Sequence, residues 1–150
     1  MVGEKMMLKN SDVALAVEAL MRVGSLPLQP RAAYWLSRNW NQLLSVYNTI
    51  QKDRAEIIKK HGTLNEETNH FVVPATIDID GEQKPNPKAE LATDELAELA
   101  EREVEVMIHK LAISGFIGNL SLQDMNALSF MIVEEAEGSN LIQIPRPKAV

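Results

Sequence analysis

A helix is predicted from Pro30 to His61 whose apolar residues keep a seven-residue beat. Leu36, Trp40, Leu43, Tyr47, Ile50 and Ile57 fall at alternating steps of four and three, and Arg54 occupies the one slot between the last two. This spacing draws a narrow stripe along a rod of roughly 45 Å, at 1.5 Å rise per residue. Such a rod outruns anything the first half of the chain can lay against it. Part of the stripe therefore needs a further partner.

The neighbouring segments bound what that partner is. Residues 5–8 form a short apolar stretch that suits an edge strand. Asn10 or Ser11 can cap a helix, with Asp12 in its first turn, and Val13, Ala16, Val17, Leu20 and Met21 follow helical spacing up to Gly24. A short connection containing Pro27 leads into Pro30, which suits the first turn of the long helix. Lys59 and Lys60 favour its C-terminal dipole, and Gly62 ends it. These elements predict an antiparallel helical hairpin with unequal arms.

Beyond Gly62 the texture changes. Phe71–Val73 and Thr76–Ile79 are β-like, with Pro74 between them and an Asp80-Gly81 turn after. Residues 82–88, with Pro85 and Pro87, suggest an exposed loop, and a short acidic helix follows from Thr93 through Leu96, Leu99 and Ala100. Glu103 to Ile108 alternates polar with apolar residues as a half-buried strand does, although Val104, Ile108 and Leu111 also keep helical spacing, so 104–112 stays open between the two. Ser121 caps a last helix whose apolar residues are Leu122, Met125, Leu128, Met131 and Ile132, with Asp124 placed to reach back to the cap. The fold class expected is α+β, mainly helical: the hairpin, a small antiparallel sheet (around 71–73, 77–79 and 104–109) and a C-terminal helix. A single domain is expected over residues 1–137, with a flexible tail over 138–150.

Bulk properties narrow the chemistry. A chain of 150 residues, 45% hydrophobic and 24% charged, is composed like one globular domain. No apolar run approaches the ~20 residues of a membrane helix, and no signal peptide is recognisable. The absence of cysteine rules out disulfides, thiol catalysis and thiolate zinc sites. A cytoplasmic location is expected. The net charge of −6 conceals a split: residues 1–61 carry nine Lys/Arg against five Asp/Glu, and residues 62–150 six against sixteen. The densest acidic run is Glu90, Asp94, Glu95, Glu98, Glu101, Glu103 and Glu105. It either lies near the basic helix within the fold, is solvated, or steers assembly.

No motif for catalysis stands out. His61, His70 and His109 lack the i, i+4 spacing of a helical metal site; His61 and His70 flank a loop with Glu66 and Glu67, a conceivable surface site outweighed by ordinary roles. Asp78 to Glu82 imitates part of a calcium loop, but Gly81 comes too early, so a strand ending in a turn is the better reading. Gly115 and Gly118 are isolated, and Ser114 has no nucleophile elbow around it. The acidic run reads as a solvated helical face. The cations of the long helix (Arg31, Arg38, Lys52, Arg54, Lys59 and Lys60), with Tyr34, Trp35 and Trp40, raise nucleic-acid binding. Asp53 and Glu56 interrupt them, and Trp40 and Tyr47 are engaged by the stripe.

The order of short motifs carries a resemblance. Leu8-Lys9-Asn10 runs into a short helix; Leu36-Ser37-Arg38-Asn39, a Tyr47 to Arg54 stretch and Lys59-Lys60-His61-Gly62 follow; then Glu95-Leu96, Glu103-Val104-Glu105-Val106, Leu120-Ser121 to Leu128, and Phe130-Met131-Ile132. Over residues 5–134 this resembles a family of small uncharacterised proteins encoded by tailed bacteriophages, mostly those of Gram-positive hosts. The Pro-rich loop at 84–88 and the tail after Gly138 lie outside it. The resemblance implies a phage origin and no established activity, so it transfers no functional residue; it points to virion assembly or interference with a host system.

The expectation is a non-enzymatic protein in the host cell cytoplasm that works through contacts with a host or phage protein, without cofactor, metal or membrane. The alternatives are a nucleic-acid binder using the basic helix and a host-defence inhibitor sequestering a small ligand. A homodimer is expected through the outer half of the long helix, where Ile50, Arg54, Ile57 and Ile58 are the candidate interface. An exposed apolar patch there would mark an interaction site.

Overall fold

The computed structural model describes residues 3–116 and 120–134. The protein is α+β and mainly helical. Among the described residues its helices are α1 (Asn10–Val23), α2 (Pro30–His61), α3 (Pro87–Glu101) and α4 (Leu122–Ala127). The strands are β1 (Glu4–Lys9), β2 (Thr63–Asn65), β3 (His70–Val72), β4 (Thr76–Ile79), β5 (Glu82–Pro85), β6 (Glu103–Ile108), β7 (Leu111–Ala112) and β8 (Ile132–Val133). The expected tail from Gly138 lies outside the described residues.

The hairpin and the long helix take the expected bounds, and the stripe on α2 faces the core. Leu36, Leu43 and Ile50 are buried, while Trp40, Tyr47 and Ile57 are half-buried against the same cluster. Around them gather Leu8 of β1, Val13, Ala16, Val17 and Leu20 of α1, Leu99 of α3, Val106 and Ile108 of β6, and Leu128 and Met131. Met21, expected on the apolar face of α1, is 58% exposed. Val13, Ala16, Val17, Ala19, Leu20 and Val23 already fill that face, and Met21 falls outside it.

Two helix starts differ from expectation. Neither Asn10 nor Ser11 caps α1; Lys9 stands at the cap without a side-chain bond. Asn10 turns inward instead. Its Nδ2 donates to the Leu99 carbonyl at 2.8 Å and its backbone N–H to the Arg102 carbonyl at 2.9 Å. The first residue of α1 thus ties to the end of α3, adding to the longer bond of 3.3 Å that the Leu99 carbonyl accepts from the Arg102 N–H. Helix α3 starts at Pro87 rather than near Thr93, because the Asn86 side chain accepts from the Lys88 N–H at 3.0 Å and Pro87 suits the first turn.

The expected single sheet is instead a set of two-stranded ribbons. β1 pairs antiparallel with β6, from Glu4 opposite Ile108 to Lys9 opposite Glu103. β2 pairs with β3 and β4 with β5, both antiparallel, and β7 and β8 form a short parallel pair. The segment 82–85, expected as loop, is the return strand of a hairpin. Asp80 and Gly81, at φ 53° and 84°, make the tight turn whose left-handed conformation suits these two residue types. The runs at β3 and β4 each found a partner across a nearby turn, and β6 was taken by the distant N-terminal strand, so no run was left to join a common sheet. The open question at 104–112 resolves as strand: Val106 and Ile108 are buried while Glu103 and Glu105 stay exposed.

The C-terminal helix is shorter than expected. Ser121 does cap it, its Oγ accepting from the Asp124 N–H at 3.0 Å. After Ala127 the chain tightens into a 3₁₀ turn at Ser129–Met131. That three-residue period turns both Leu128 and Met131 fully inward, and Leu122, expected on the stripe, is 79% exposed.

The edge of β6 that does not face β1 is closed by side chains of α2. Gln42 Oε1 accepts from the Met107 N–H at 3.3 Å. Asn39, fully buried, accepts from the His109 N–H and donates to the His109 carbonyl, both at 2.8 Å.

Leu128→Ala should cost roughly 2–5 kcal/mol by opening a cavity, whereas Leu122→Ala should stay within about 0.5 kcal/mol. Chemical denaturation checks both; equal, negligible effects would show that the C-terminal segment is not packed. By the same assay Asn39→Ala should be severe for a polar residue. It strands two backbone groups of His109, at about 1–3 kcal/mol each.

Candidate functional site

The surface around α1 and α2 carries several clefts, and their linings differ in chemistry. One, of about 450 Å³, lies between the end of α1 and the first half of α2. Leu20, Met21 and Gly24 form one wall; Leu28, Ala33, Leu36, Ser37 and Trp40 form the other. No titratable side chain lines it. The connection from Gly24 to Gln29 is held in place by a bridge from Leu28 to Phe116 and by the Gln29 N–H donating to the Gly115 carbonyl. Gly115 is required there, since a Cβ would sit 2.8 Å from that of Ala32. Met21 and the 55%-exposed Tyr34 stand on the surface of these same two helices.

A second cleft, of about 350 Å³, lies where α1, α2 and α3 meet. Ile50 and Arg54 both line it, with Asn10, Ser11, Leu15, Glu18, Leu96 and Leu99. Ile50 is only 9% exposed, which corrects the expectation that it remains open. Ile57 is half-buried and faces a charged cleft with Asp53, Glu56, Lys60, Glu95, Glu98 and Arg102. Ile58 is also half-buried. Helix α1, at 14 residues, is too short to cover the stripe alone. Helix α3 lies along the C-terminal half of α2 beside Ile50 and Ile57, and Arg54 is left exposed.

The acidic segment therefore meets the basic end of the long helix inside one fold. Lys60 Nζ lies 3.0 Å from Glu95 Oε1, and His61 Nε2 bonds the other oxygen of the same carboxylate. Hydrogen bonds from His61 and then Lys60 hold the Glu95 carboxyl below its usual range. Lys9 and Glu101 pair at 2.8 Å. Between α1 and α4, Arg22 places Nε and Nη2 at 2.8 and 2.6 Å from Asp124 Oδ1. Asp124 thus serves this ion pair and does not reach back to the cap.

His61 is engaged by Glu95, and His70 begins the exposed strand β3. Among the described residues no three His, Asp or Glu side chains converge as a metal site. Asp78 Oδ1 accepts from the Gly81 N–H at 2.9 Å, the turn interaction expected of it. His109 has a structural setting: its ring lies 4.4 Å from that of Trp35, and its Nδ1 is buried without a hydrogen-bond partner among the described residues. Burial, with Arg38 adding to it, pushes its pKa below the ordinary histidine value.

The sign of the His109 effect follows. The fold prefers the neutral ring, so the unfolded chain binds the proton more readily, and stability falls as pH drops below about 6.5. Denaturation midpoints taken from about pH 8 to about pH 5.5 should decline, and His109→Gln should flatten that decline. Glu95 acts in a separate window: its contribution is present above 4.5 and is lost as pH falls further. An unchanged slope in the variant would remove His109 as the cause. Comparison with protein-family models, with curated proteins and with solved structures found no match to this chain.

Proposed function

We propose that the chain is a phage-encoded, non-enzymatic protein that works in the host cytoplasm through contacts with another protein. The apolar groove between α1 and α2 is the observation that carries this reading. Its walls of Leu20, Met21, Leu28, Ala33, Leu36 and Trp40 offer shape and apolar surface, and the hydroxyl of Ser37 donates to the Tyr34 carbonyl of its own helix. A methionine left more than half exposed at the rim of an apolar cleft suits a partner that brings its own apolar side chains, because the thioether adapts to irregular surfaces. An amphipathic helix is the occupant that fits, with anchors at i, i+3 and i+4 entering between two helices. The phage origin rests on the motif order from Leu8 to Ile132, and the cytoplasmic setting on the lack of cysteine.

A photo-crosslinking residue in place of Met21 should give one discrete adduct in infected cells. The joined peptide of the partner should show helical apolar spacing. Ala33→Arg, which fills the groove from a partly exposed position, should abolish the adduct while leaving the melting temperature near that of the parent. An adduct indifferent to Ala33→Arg, or a joined peptide without that spacing, would refute the groove as the contact surface.

A further inference from the structure

The solvent side of α2 carries its own pattern. Arg31, Arg38, Ser45, Lys52 and Lys59 recur at every seventh residue and are all exposed, with exposed Asn41 and Asn48 between them. Successive members of that set lie about 10 Å apart along the helix. Arg38 lies over the ring of Tyr34 at 5.9 Å and Lys59 over that of Phe71 at 5.7 Å. Among the described residues none of the four cations forms an ion pair. Glu56 is the single acid on this face. On α2 it is Lys60, on the flank against α3, that pairs.

Helix α3 presents the opposite charge. Glu90, Asp94 and Glu98 are exposed and spaced by four residues, spanning about 12 Å, with Glu98 at the rim of the charged cleft against α2 of the same chain. These three form no ion pair among the described residues either. Glu95, on the inner side of the same helix, is the residue spent on Lys60 and His61.

We propose that the basic face of α2 receives the acidic face of α3 from a second copy of this chain. The two charge lines match in sign and in length, Lys52 to Lys59 against Glu90 to Glu98. Because α3 lies along the C-terminal half of α2 in the same chain, a two-fold axis between copies lets each α2 meet the other copy's α3. Each contact is then made twice, as a closed symmetric dimer requires. Exposed ion pairs are individually weak, so several must act together, and the contact dissolves with salt. This face is separate from the apolar groove and does not depend on it. Nucleic acid is the competing occupant of a basic stripe, but the acidic α3 beside it and a sequence pI of 5.1 oppose a polyanion.

Light scattering of the purified full chain at micromolar concentration decides the matter. At about 0.05 M salt it should give twice the chain mass of 16.7 kDa, and at about 1 M salt one chain mass. The double variant Lys52→Glu/Lys59→Glu should be monomeric at low salt, and so should Glu90→Lys/Asp94→Lys. An equimolar mixture of the two should return to dimer, because both α2–α3 contacts are then attractive again; this also shows that the variants are folded. A wild-type monomer at every salt concentration, or variants that stay dimeric alone, would overturn the proposal. So would co-purified nucleic acid, seen in the absorbance ratio, that Lys52→Glu/Lys59→Glu removes.

Discussion

A 32-residue helix must be covered along one side by elements that are each less than half its length. Everything else in this structure answers that demand. Helix α1 takes the middle of the stripe, the turn after it closes over Leu36, and β6 docks through Asn39 and Gln42. Helix α3 returns from a distant part of the chain to cover Ile50 and Ile57. The joints between these covers are polar and few. Asn10 ties the start of α1 to the end of α3, and Asn39 ties the centre of α2 to the end of β6. Asn39 donates and accepts at once, so a single buried side chain satisfies both backbone groups of His109, whereas Asn10 donates only and its Oδ1 is buried without a partner among the described residues.

Much of this was legible in the residues themselves. The bounds of α1 and α2, the Asp80-Gly81 turn, the Ser121 cap and the strand character of β1 all rest on local chemistry, which acts within a few residues and is written in order. What escaped depended on partners far apart in the chain. Nothing local distinguishes Asn10 as a tie from Asn10 as a cap, since the same amide serves either role. The three β-like runs carried no information about which neighbour each would choose. Leu122 and Met21 have the hydrophobicity of core residues but lie outside because other side chains had already filled the space. The second half of the stripe looks uncovered in the sequence because the helix that covers it is dominated by acidic residues. Its Ala92 and Leu99 form the buried face. The groove beside Trp40 is hidden in the sequence because the same residue both packs against the core and lines the cleft.

The division of charge between the two halves of the chain also gains a meaning from the packing. Part of it is settled internally, where Lys60 and His61 meet Glu95 and Lys9 meets Glu101. The remainder faces outward on α2 and α3 separately. Exposed pairs contribute little to stability, about 0–1 kcal/mol each, so the internal pairs orient α3 more than they hold it. Apolar contacts and the Asn10 tie do the holding.

The pairing of β1 with β6 sets the order in which the molecule can be completed. Glu4 lies opposite Ile108, so the first strand waits for a partner about a hundred residues further along the chain. At roughly 5–20 residues per second on the ribosome, that separation is on the order of ten seconds of synthesis. During that interval the helical hairpin can form from local contacts, while Met6 and Leu8 have no sheet to join and Asn39 has no strand edge to bind. Closing so long a loop is slow relative to helix formation. The nascent chain therefore carries its apolar stripe half-dressed until β6 emerges, and aggregation competes with folding in that window.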